Sequence, residues 1–415
     1  MMRALFPVVT LLVAIFMFMS GSGALPAVLG VRLDHAGYAT PLIGLVGTSY
    51  FVGLTVGSVV ILRLVGRVGH IRAFAVFVSL FSASALAYSI VQAIPLWIVL
   101  RFVDGFCVAG VFVCLESWLN DQAETERRGG TLAFYMMALY GGQALSQLLL
   151  SVEMGNPRLP FVIASLILSL TVIPVALTRM VAPATEDQQP FALRRLYAAS
   201  PLGLVGAMAT GLMLGAFYAM AAIHAQRIGM SNLAIASLIA SVIAGGVILQ
   251  WPLGRLSDRF DRRMVIVICF ALTALICGAM TLVTDPGIFT FLGVLFGGFA
   301  FALYPLCVAH TNDHLAANER TGATGGLILT YSAGAAVGPL ASALAMTVAG
   351  PGGLYLFIGA VAALAFAFGI WRQFVALPVP GEEQHSFQIL PRTTPMIAAL
   401  DPELPADDDP EERRV

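Results

Sequence analysis

Residues Gly254-Arg-Leu-Ser-Asp-Arg-Phe-Asp-Arg-Arg263 form a short basic stretch between two long apolar runs, 232–254 and 264–284. About 20 apolar residues are enough for a helix to cross the hydrocarbon core of a bilayer. A helix can do so because all its backbone hydrogen bonds are internal. The two runs therefore predict two membrane-spanning helices joined by a charged loop at the membrane surface.

The same alternation of apolar runs and charged breaks extends along the whole chain. Hydrophobic residues make up 59% of the 415 residues and charged residues only 11%, with a mean hydropathy of +0.88. A soluble domain carries about 25% charged residues, so this composition predicts an all-α polytopic membrane protein. The twelve predicted spans are 5–30, 40–62, 73–93, 95–118, 130–152, 159–181, 201–223, 232–254, 264–284, 288–309, 322–348 and 353–373.

A polar segment divides the spans into two sets of six. We predict an N-terminal six-helix bundle over 1–181, a cytoplasmic linker over 182–200 and a C-terminal six-helix bundle over 201–375. Residues 376–415 are rich in Pro, Asp and Glu, and their low hydrophobicity and charge blocks predict a disordered cytoplasmic tail.

The distribution of arginine predicts the orientation in the membrane. All 22 basic residues are Arg; 18 fall on the side that holds both termini, three on the opposite side and one inside a span. Basic residues are enriched in cytoplasmic loops. Both termini are therefore expected in the cytoplasm, with the protein in the inner membrane of a bacterium.

Sequence motifs at corresponding places in the two halves resemble those of the major facilitator superfamily. The basic stretch is similar to the family's loop motif G-x-L-x-D-R-x-G-R-R, with Asp261 where the family usually has Gly, and 63–72 is a weaker copy. Arg101-Phe-Val-Asp104-Gly105 is similar to R-x-x-Q-G, and Gly334-Ala-Ala-Val-Gly338-Pro339 to G-x-x-x-G-P. Segments 116–120, 250–256 and 303–305 resemble the poorly characterised bacterial YcaD-like carriers.

This resemblance implies alternating access, in which two bundles rock about a central site and a proton gradient usually drives transport. We expect Glu116 to pair with Arg67 or Arg72 when the cytoplasmic side is closed; the alternative is a helix-end carboxylate in water. The residues expected to act in gating are Arg67, Gly69, Arg72, Glu116, Gly254, Asp258, Arg259, Arg262, Arg263, Gly338 and Pro339.

The span 95–118 carries three ionisable residues on one face; Arg101 and Asp104 lie one helical turn apart, and Glu116 lies at the cytoplasmic end. Charges at membrane depth are costly, so such residues are candidates for function. We interpret the pair as a substrate and proton-coupling site; the alternative is a static buried pair. Aromatic rings with one polar group suit an amphipathic solute, although they also serve in packing. The further candidates for the cavity wall are Tyr50, Tyr135, Tyr140, Gln143, Gln147, Tyr218, Gln250, Trp251, Tyr304 and Tyr331.

The sequence favours a secondary transporter over an enzyme. No span carries two His for haem, and no Walker motif is possible without Lys, so no catalytic residue, metal or cofactor is expected. The net charge of −1 gives no footprint for nucleic acid. The expected partners are a small solute, protons and the lipid bilayer, and the protein is expected to be a monomer.

The expected solute is small, organic and weakly charged, vitamin-like or otherwise amphipathic, with riboflavin a candidate by analogy. The stretch Tyr140-Gly-Gly-Gln-Ala144 lacks the Gly-Pro signature that drug–proton antiporters of the family carry on span 5, which favours proton-coupled uptake. Proton-coupled efflux of a drug or metabolite is the alternative, and a membrane sensor or receptor without transport is a remote one.

Overall fold

The computed structural model describes residues 2–122, 128–152, 156–178, 192–375, 384–394 and 396. Throughout these residues the regular elements are helices. They are α1 Met2–Ser22, α2 Leu25–His35, α3 Thr40–Val68, α4 His70–Ile90, α5 Ile94–Gln122, α6 Arg128–Ser146, α7 Leu159–Ala176, α8 Leu193–Ala199, α9 Pro201–Arg227, α10 Asn232–Arg259, α11 Arg262–Met280, α12 Pro286–Asn312, α13 Ala317–Ala349 and α14 Gly353–Val375.

Eleven helical stretches in the described part of the chain are long and apolar enough to cross a membrane, with α1 and α2 contributing one stretch, Pro7–His35. The remaining predicted span, 130–152, is formed by α6 and a 3-10 turn, Gln147–Ser151. Its glycines and polar residues reduce its hydropathy. The predicted all-α polytopic membrane fold is confirmed.

Several helices are longer than the predicted spans. Helix α3 ends at Val68 and not at residue 62, and α13 begins at Ala317 and not at residue 322. Hydropathy marks the part of a helix that suits lipid, whereas the backbone hydrogen bonds continue into the polar turns beyond it.

The breaks between helices follow from local chemistry. Gly69 separates α3 from α4 with a φ of 89°, a conformation that other residues rarely adopt. Asp261 precedes α11, and its carboxylate accepts a hydrogen bond of 3.0 Å from the backbone N–H of Arg263. Asp is a preferred N-cap residue, so the departure from the family's usual Gly gives α11 a capped start.

Helix packing repeats between the two halves. In the first half α1 packs against α6, α3 against α5 and α4 against α7; in the second half α9 packs against α13, α10 against α12 and α11 against α14. Each pair in the first half thus has its counterpart six spans later. The halves meet where α3 lies along α13 and α6 along α10, which are again counterparts, and where α2 contacts α9.

The predicted linker and tail are only partly described. Residues 179–191 lie outside the described part, and the end of the predicted linker forms α8. The sequence predicts disorder over 376–415, but residues 384–394 pack between the two halves at the end that carries residues 254–263, which we call the basic end. Leu390 is only 4% exposed there. We call residues 384–394 the C-terminal segment. Its apolar side chains and backbone hydrogen bonds compensate for its polar composition.

Candidate solute cavity

A cavity of about 150 Å³ lies between the two halves of the fold. Six residues predicted for the cavity wall line it: Tyr50, Arg101, Tyr140, Gln143, Tyr218 and Tyr331. Several apolar side chains complete the walls, and Pro391, Arg392 and Thr393 of the C-terminal segment close one side. The cavity is therefore built by both halves together with the segment.

The predicted ion pair between Arg101 and Asp104 is present. Nη1 of Arg101 lies 3.2 Å from Oδ2 of Asp104, and the side chains are 2% and 0% exposed. The hydroxyl group of Tyr88 donates a hydrogen bond of 2.7 Å to the same carboxylate oxygen, while the Arg101 guanidinium lies 4.3 Å from the ring centre of Tyr50. Arg101 faces the cavity. Asp104 lies outside the cavity wall, beside Tyr88 of α4, and neutralises the charge of Arg101.

The other predicted wall residues surround the cavity without lining it. Trp251 is 57% exposed and packs under the Arg255 guanidinium at 4.1 Å. Tyr304 is buried with its ring 5.3 Å from that of Tyr331. Tyr304 therefore supports the wall, and Trp251 faces outward. Besides Asp104, the predicted residues outside the lining are Tyr135, Gln147, Gln250, Trp251 and Tyr304.

Glu116 has partners other than the predicted arginines. Its buried carboxylate accepts hydrogen bonds from the hydroxyl groups of Tyr135, Thr393 and Thr394. Within the described residues no ion pair joins it to Arg67 or Arg72, both of which are exposed. In this conformation Glu116 therefore binds the C-terminal segment.

The ends of α10, α11 and α12 at the basic end hold the start of the C-terminal segment. The buried Arg262 guanidinium donates hydrogen bonds to Asp313 at 2.7 and 2.8 Å, to Asp258 at 3.0 Å and to the backbone carbonyl of His385 at 2.6 Å. Asp258 and Asp313 in turn accept from the backbone N–H groups of Phe387 and His385. Burial raises the pKa of Asp313 above its usual value, and the Arg262 guanidinium opposes that shift.

Two glycines of the predicted gating set lie at close approaches. A Cβ atom on Gly254 would lie 2.1 Å from the Phe387 ring, so the missing side chain makes room for the C-terminal segment. A Cβ atom on Gly338 would lie 2.3 Å from the carbonyl oxygen of Leu212, so α13 and α9 pack closely beside Pro339. Arg259 is exposed, and Arg263 pairs with Asp261 at 2.9 Å.

The deepest contacts of the C-terminal segment come from Arg392, a residue that no sequence motif indicates. Its guanidinium lies 4.6 Å from the ring centre of Phe301 and 5.5 Å from that of Tyr331. Nη2 donates a hydrogen bond of 3.3 Å to the hydroxyl group of Tyr218. One sequence signal is available: 386–391, Ser-Phe-Gln-Ile-Leu-Pro, is one of the apolar stretches in a largely polar tail.

At the opposite end of the fold an ion pair joins the two halves. The Arg227 side chain on α9 donates hydrogen bonds of 2.6 and 3.1 Å to Oδ1 of Asp34 on α2, and one of 3.0 Å to the hydroxyl group of Thr40. Together with the packing of α3 against α13, this pair closes the cavity at that end. The C-terminal segment borders it at the basic end.

Comparisons with known proteins agree with this architecture. The sequence pattern of the Major Facilitator Superfamily matches residues 10–231 and 202–400. The chain is 29% identical over 360 residues to an uncharacterized MFS-type transporter YcaD of Escherichia fergusonii, covering 86% of this chain and 93% of the relative. It is 28% identical over 359 residues to the YcaD transporter of Salmonella enteritidis, with the same coverage.

Solved structures share the fold at low sequence identity. The nucleoside transporter NupG superposes with a TM-score of 0.72 at 13% identity, covering 88% of this chain and 99% of that one. A bacterial homolog of the human lysosomal transporter Spinster, in an inward-facing and occupied conformation, superposes with a TM-score of 0.72 at 15% identity, covering 91% and 98%.

Proposed function

The chain belongs to the major facilitator superfamily of transporters, and from this premise we propose that it moves a small organic solute across a bacterial inner membrane by alternating access. The main support is the cavity between the two halves, closed at one end by Arg227 and Asp34. Rocking of the halves about this cavity would break the closure at one end and form one at the other.

We assign the basic end to the cytoplasm, because most of the arginines lie there. In this orientation the ion pair between Arg227 and Asp34 closes the periplasmic side. The C-terminal segment then enters from the cytoplasmic side, where it contacts Glu116 and Asp258.

We assign proton coupling to Arg101 and Asp104. A charged carboxylate in a dry site is stable only while a counter-charge neutralises it. If a solute or the rocking motion draws Arg101 away, binding of a proton is the least costly way to neutralise Asp104. Return of Arg101 to Asp104 would release the proton. During the cycle Asp104 would therefore be neutralised alternately by Arg101 and by a proton.

The cavity wall suits an amphipathic organic solute. Tyr50, Tyr140, Tyr218 and Tyr331 offer ring faces with hydroxyl groups, and Gln143 adds an amide. A vitamin-like compound fits this chemistry, with riboflavin one candidate. The missing Gly-Pro signature on α6 favours uptake, and efflux of a drug or metabolite is the alternative direction.

A flux assay in proteoliposomes tests the proposal. Vesicles containing the purified protein are given radiolabelled solutes, including riboflavin, with and without a pH gradient, and protein-free vesicles serve as the control. We expect at least one solute to accumulate only with the protein and only with the gradient. Flux of no solute in either direction would favour the sensor alternative, and gradient-driven export would favour efflux.

A further inference from the structure

The Arg392 side chain occupies a ring of aromatic residues contributed by both halves. Tyr140 comes from α6, Tyr218 from α9, Phe301 from α12 and Tyr331 from α13. The ring centres of Tyr140 and Tyr218 lie 5.9 and 6.1 Å from that of Phe301. We call these four residues the aromatic cage, and all except Phe301 border the cavity directly.

The cage holds a cation without a carboxylate. The residues that line the cavity include neither Asp nor Glu, and within the described residues no salt bridge involves Arg392. The guanidinium is instead held by the faces of Phe301 and Tyr331 and by the hydroxyl group of Tyr218. Aromatic faces attract cations in this way, most strongly where water is excluded.

The other charge at the cavity does not oppose binding of a cation. Arg101 is neutralised by Asp104 at 3.2 Å and lies over the ring of Tyr50. The cavity therefore combines a neutralised pair on the N-terminal half with a cation-binding ring cluster that lies mainly on the C-terminal half.

We propose that the aromatic cage is a subsite for a guanidinium or substituted ammonium group of the solute, and that Arg392 occupies it as an intramolecular competitor. The inference rests on the proposed function in taking this cavity as the solute site. The C-terminal segment is anchored on both sides of Arg392, by Phe387 on Asp258 and by Thr394 on Glu116. Such tethering gives the side chain a high effective concentration at the cage.

Binding of three small probes of one size tests this assignment without any transport step. The probes are 2-phenylethylguanidinium, its neutral counterpart 2-phenylethylurea and the anion 4-phenylbutyrate, titrated by calorimetry into the full-length protein in detergent. We expect Arg392→Ala to bind the guanidinium about tenfold more tightly than the unmodified protein, or ~1.4 kcal/mol. Arg158→Ala, an exposed arginine at the opposite end, should leave the affinity unchanged.

Variants of the cage separate ring chemistry from folding. In the Arg392→Ala background, Phe301→Leu should weaken guanidinium binding about tenfold, whereas Phe301→Tyr should retain it. Phe296→Leu is the matched control, because this buried ring on the same helix packs against Phe217 at 5.3 Å and belongs to neither the cavity lining nor the aromatic cage. Melting temperatures establish that each variant is folded.

Three results would overturn the inference. The first is equal binding of the urea and the guanidinium to Arg392→Ala, and the second is no binding of the guanidinium to that folded variant. The third is binding of the anion to the unmodified protein with loss in Arg392→Ala, which would make Arg392 a ligand for an anionic solute. Binding of the guanidinium without flux of any solute would instead contradict the proposed function and leave the cage in place.

Discussion

The backbone N–H of Phe387 donates a hydrogen bond of 2.8 Å to Oδ1 of Asp258, which joins the C-terminal segment to the last turn of α10. The same oxygen accepts a hydrogen bond of 3.0 Å from Nη2 of Arg262. One carboxylate therefore connects a residue of the segment with a buried arginine of the C-terminal half. Any motion that withdraws the segment must break the first bond and can leave the second intact.

We expect Asp258→Asn to impair turnover more than folding. The amide loses its charge-assisted bonds in this conformation, and transport should slow about tenfold, or ~1.4 kcal/mol. The melting temperature should fall little, because the Asp258 side chain is 34% exposed. Proteoliposome flux and thermal melting are measured together, with Asp261→Asn, three residues further along the chain, as the control. A parallel loss of transport and melting temperature would make Asp258 a structural acid only.

Arg262→Ala should destabilise the fold strongly. Asp313 would remain buried without its counter-charge, and breaking a buried pair costs about 3–5 kcal/mol. The adjacent Arg263→Ala is the control, since the side chain of its partner Asp261 is 32% exposed and a pair of this kind contributes about 1 kcal/mol or less. Melting curves in detergent compare the two variants. Equal shifts in melting temperature would contradict the inference that the buried pair of Arg262 and Asp313 contributes more to stability than the more exposed pair.

The sequence predicts the fold because each span must be long and apolar enough to cross the bilayer. The apolar runs predict every membrane helix in the described part of the chain, and the polar segment 182–200 predicts the six-plus-six arrangement. The spacing of Arg101 and Asp104 likewise predicts their ion pair, because residues three apart lie on one face of a helix.

Local sequence patterns do not predict the contacts of the C-terminal segment. Arg392 reaches Tyr218 across 174 residues and Thr394 reaches Glu116 across 278, and no local pattern encodes such distances. The charged composition of 376–415 indicates disorder, whereas a few buried positions such as Leu390 fix the path of 384–394. The sequence predicts that Glu116 pairs with an arginine when the cytoplasmic side is closed. In this conformation threonine and tyrosine hydroxyl groups bind it instead.

Cysteine labelling should place the basic end in the cytoplasm. The five native cysteines are buried, so single substitutions at exposed positions can be read directly. An impermeant maleimide added to intact cells should label Leu282→Cys, 83% exposed at the opposite end, but not Phe260→Cys, 58% exposed at the basic end. Permeabilised cells provide the positive control for Phe260→Cys. The reverse labelling pattern would invert the topology.

Arg227→Ala should favour opening at the end opposite to the basic loops. The variant removes the ion pair between α9 and α2, and a loss of about 1 kcal/mol would raise the open population roughly fivefold. The readout is the labelling rate of Ala219→Cys, a cavity-wall position, by an impermeant maleimide added outside. Arg158→Ala at the same end serves as the control. Unchanged labelling of Ala219→Cys would exclude Arg227 as a closing contact.

Substitutions of Arg101 and Asp104 should distinguish proton coupling from static packing. Asp104→Asn should still exchange solute across the membrane but fail to accumulate it against a gradient, because the amide cannot exchange a proton. Arg101→Ala should be more harmful, since it leaves Asp104 buried without its counter-charge, which costs about 3–5 kcal/mol. Flux with and without a pH gradient, together with melting, measures both effects.

The double variant Arg101→Ala/Asp104→Ala decides between the two interpretations. Removing both charges eliminates the unpaired carboxylate, so stability should recover towards that of the unmodified protein. If the pair couples solute to protons, gradient-driven accumulation should remain absent in this stable protein, because no group is left to take up and release the proton. Full gradient-driven accumulation by the double variant would mean that Arg101 and Asp104 only hold α5 in place, and the coupling site would have to lie elsewhere.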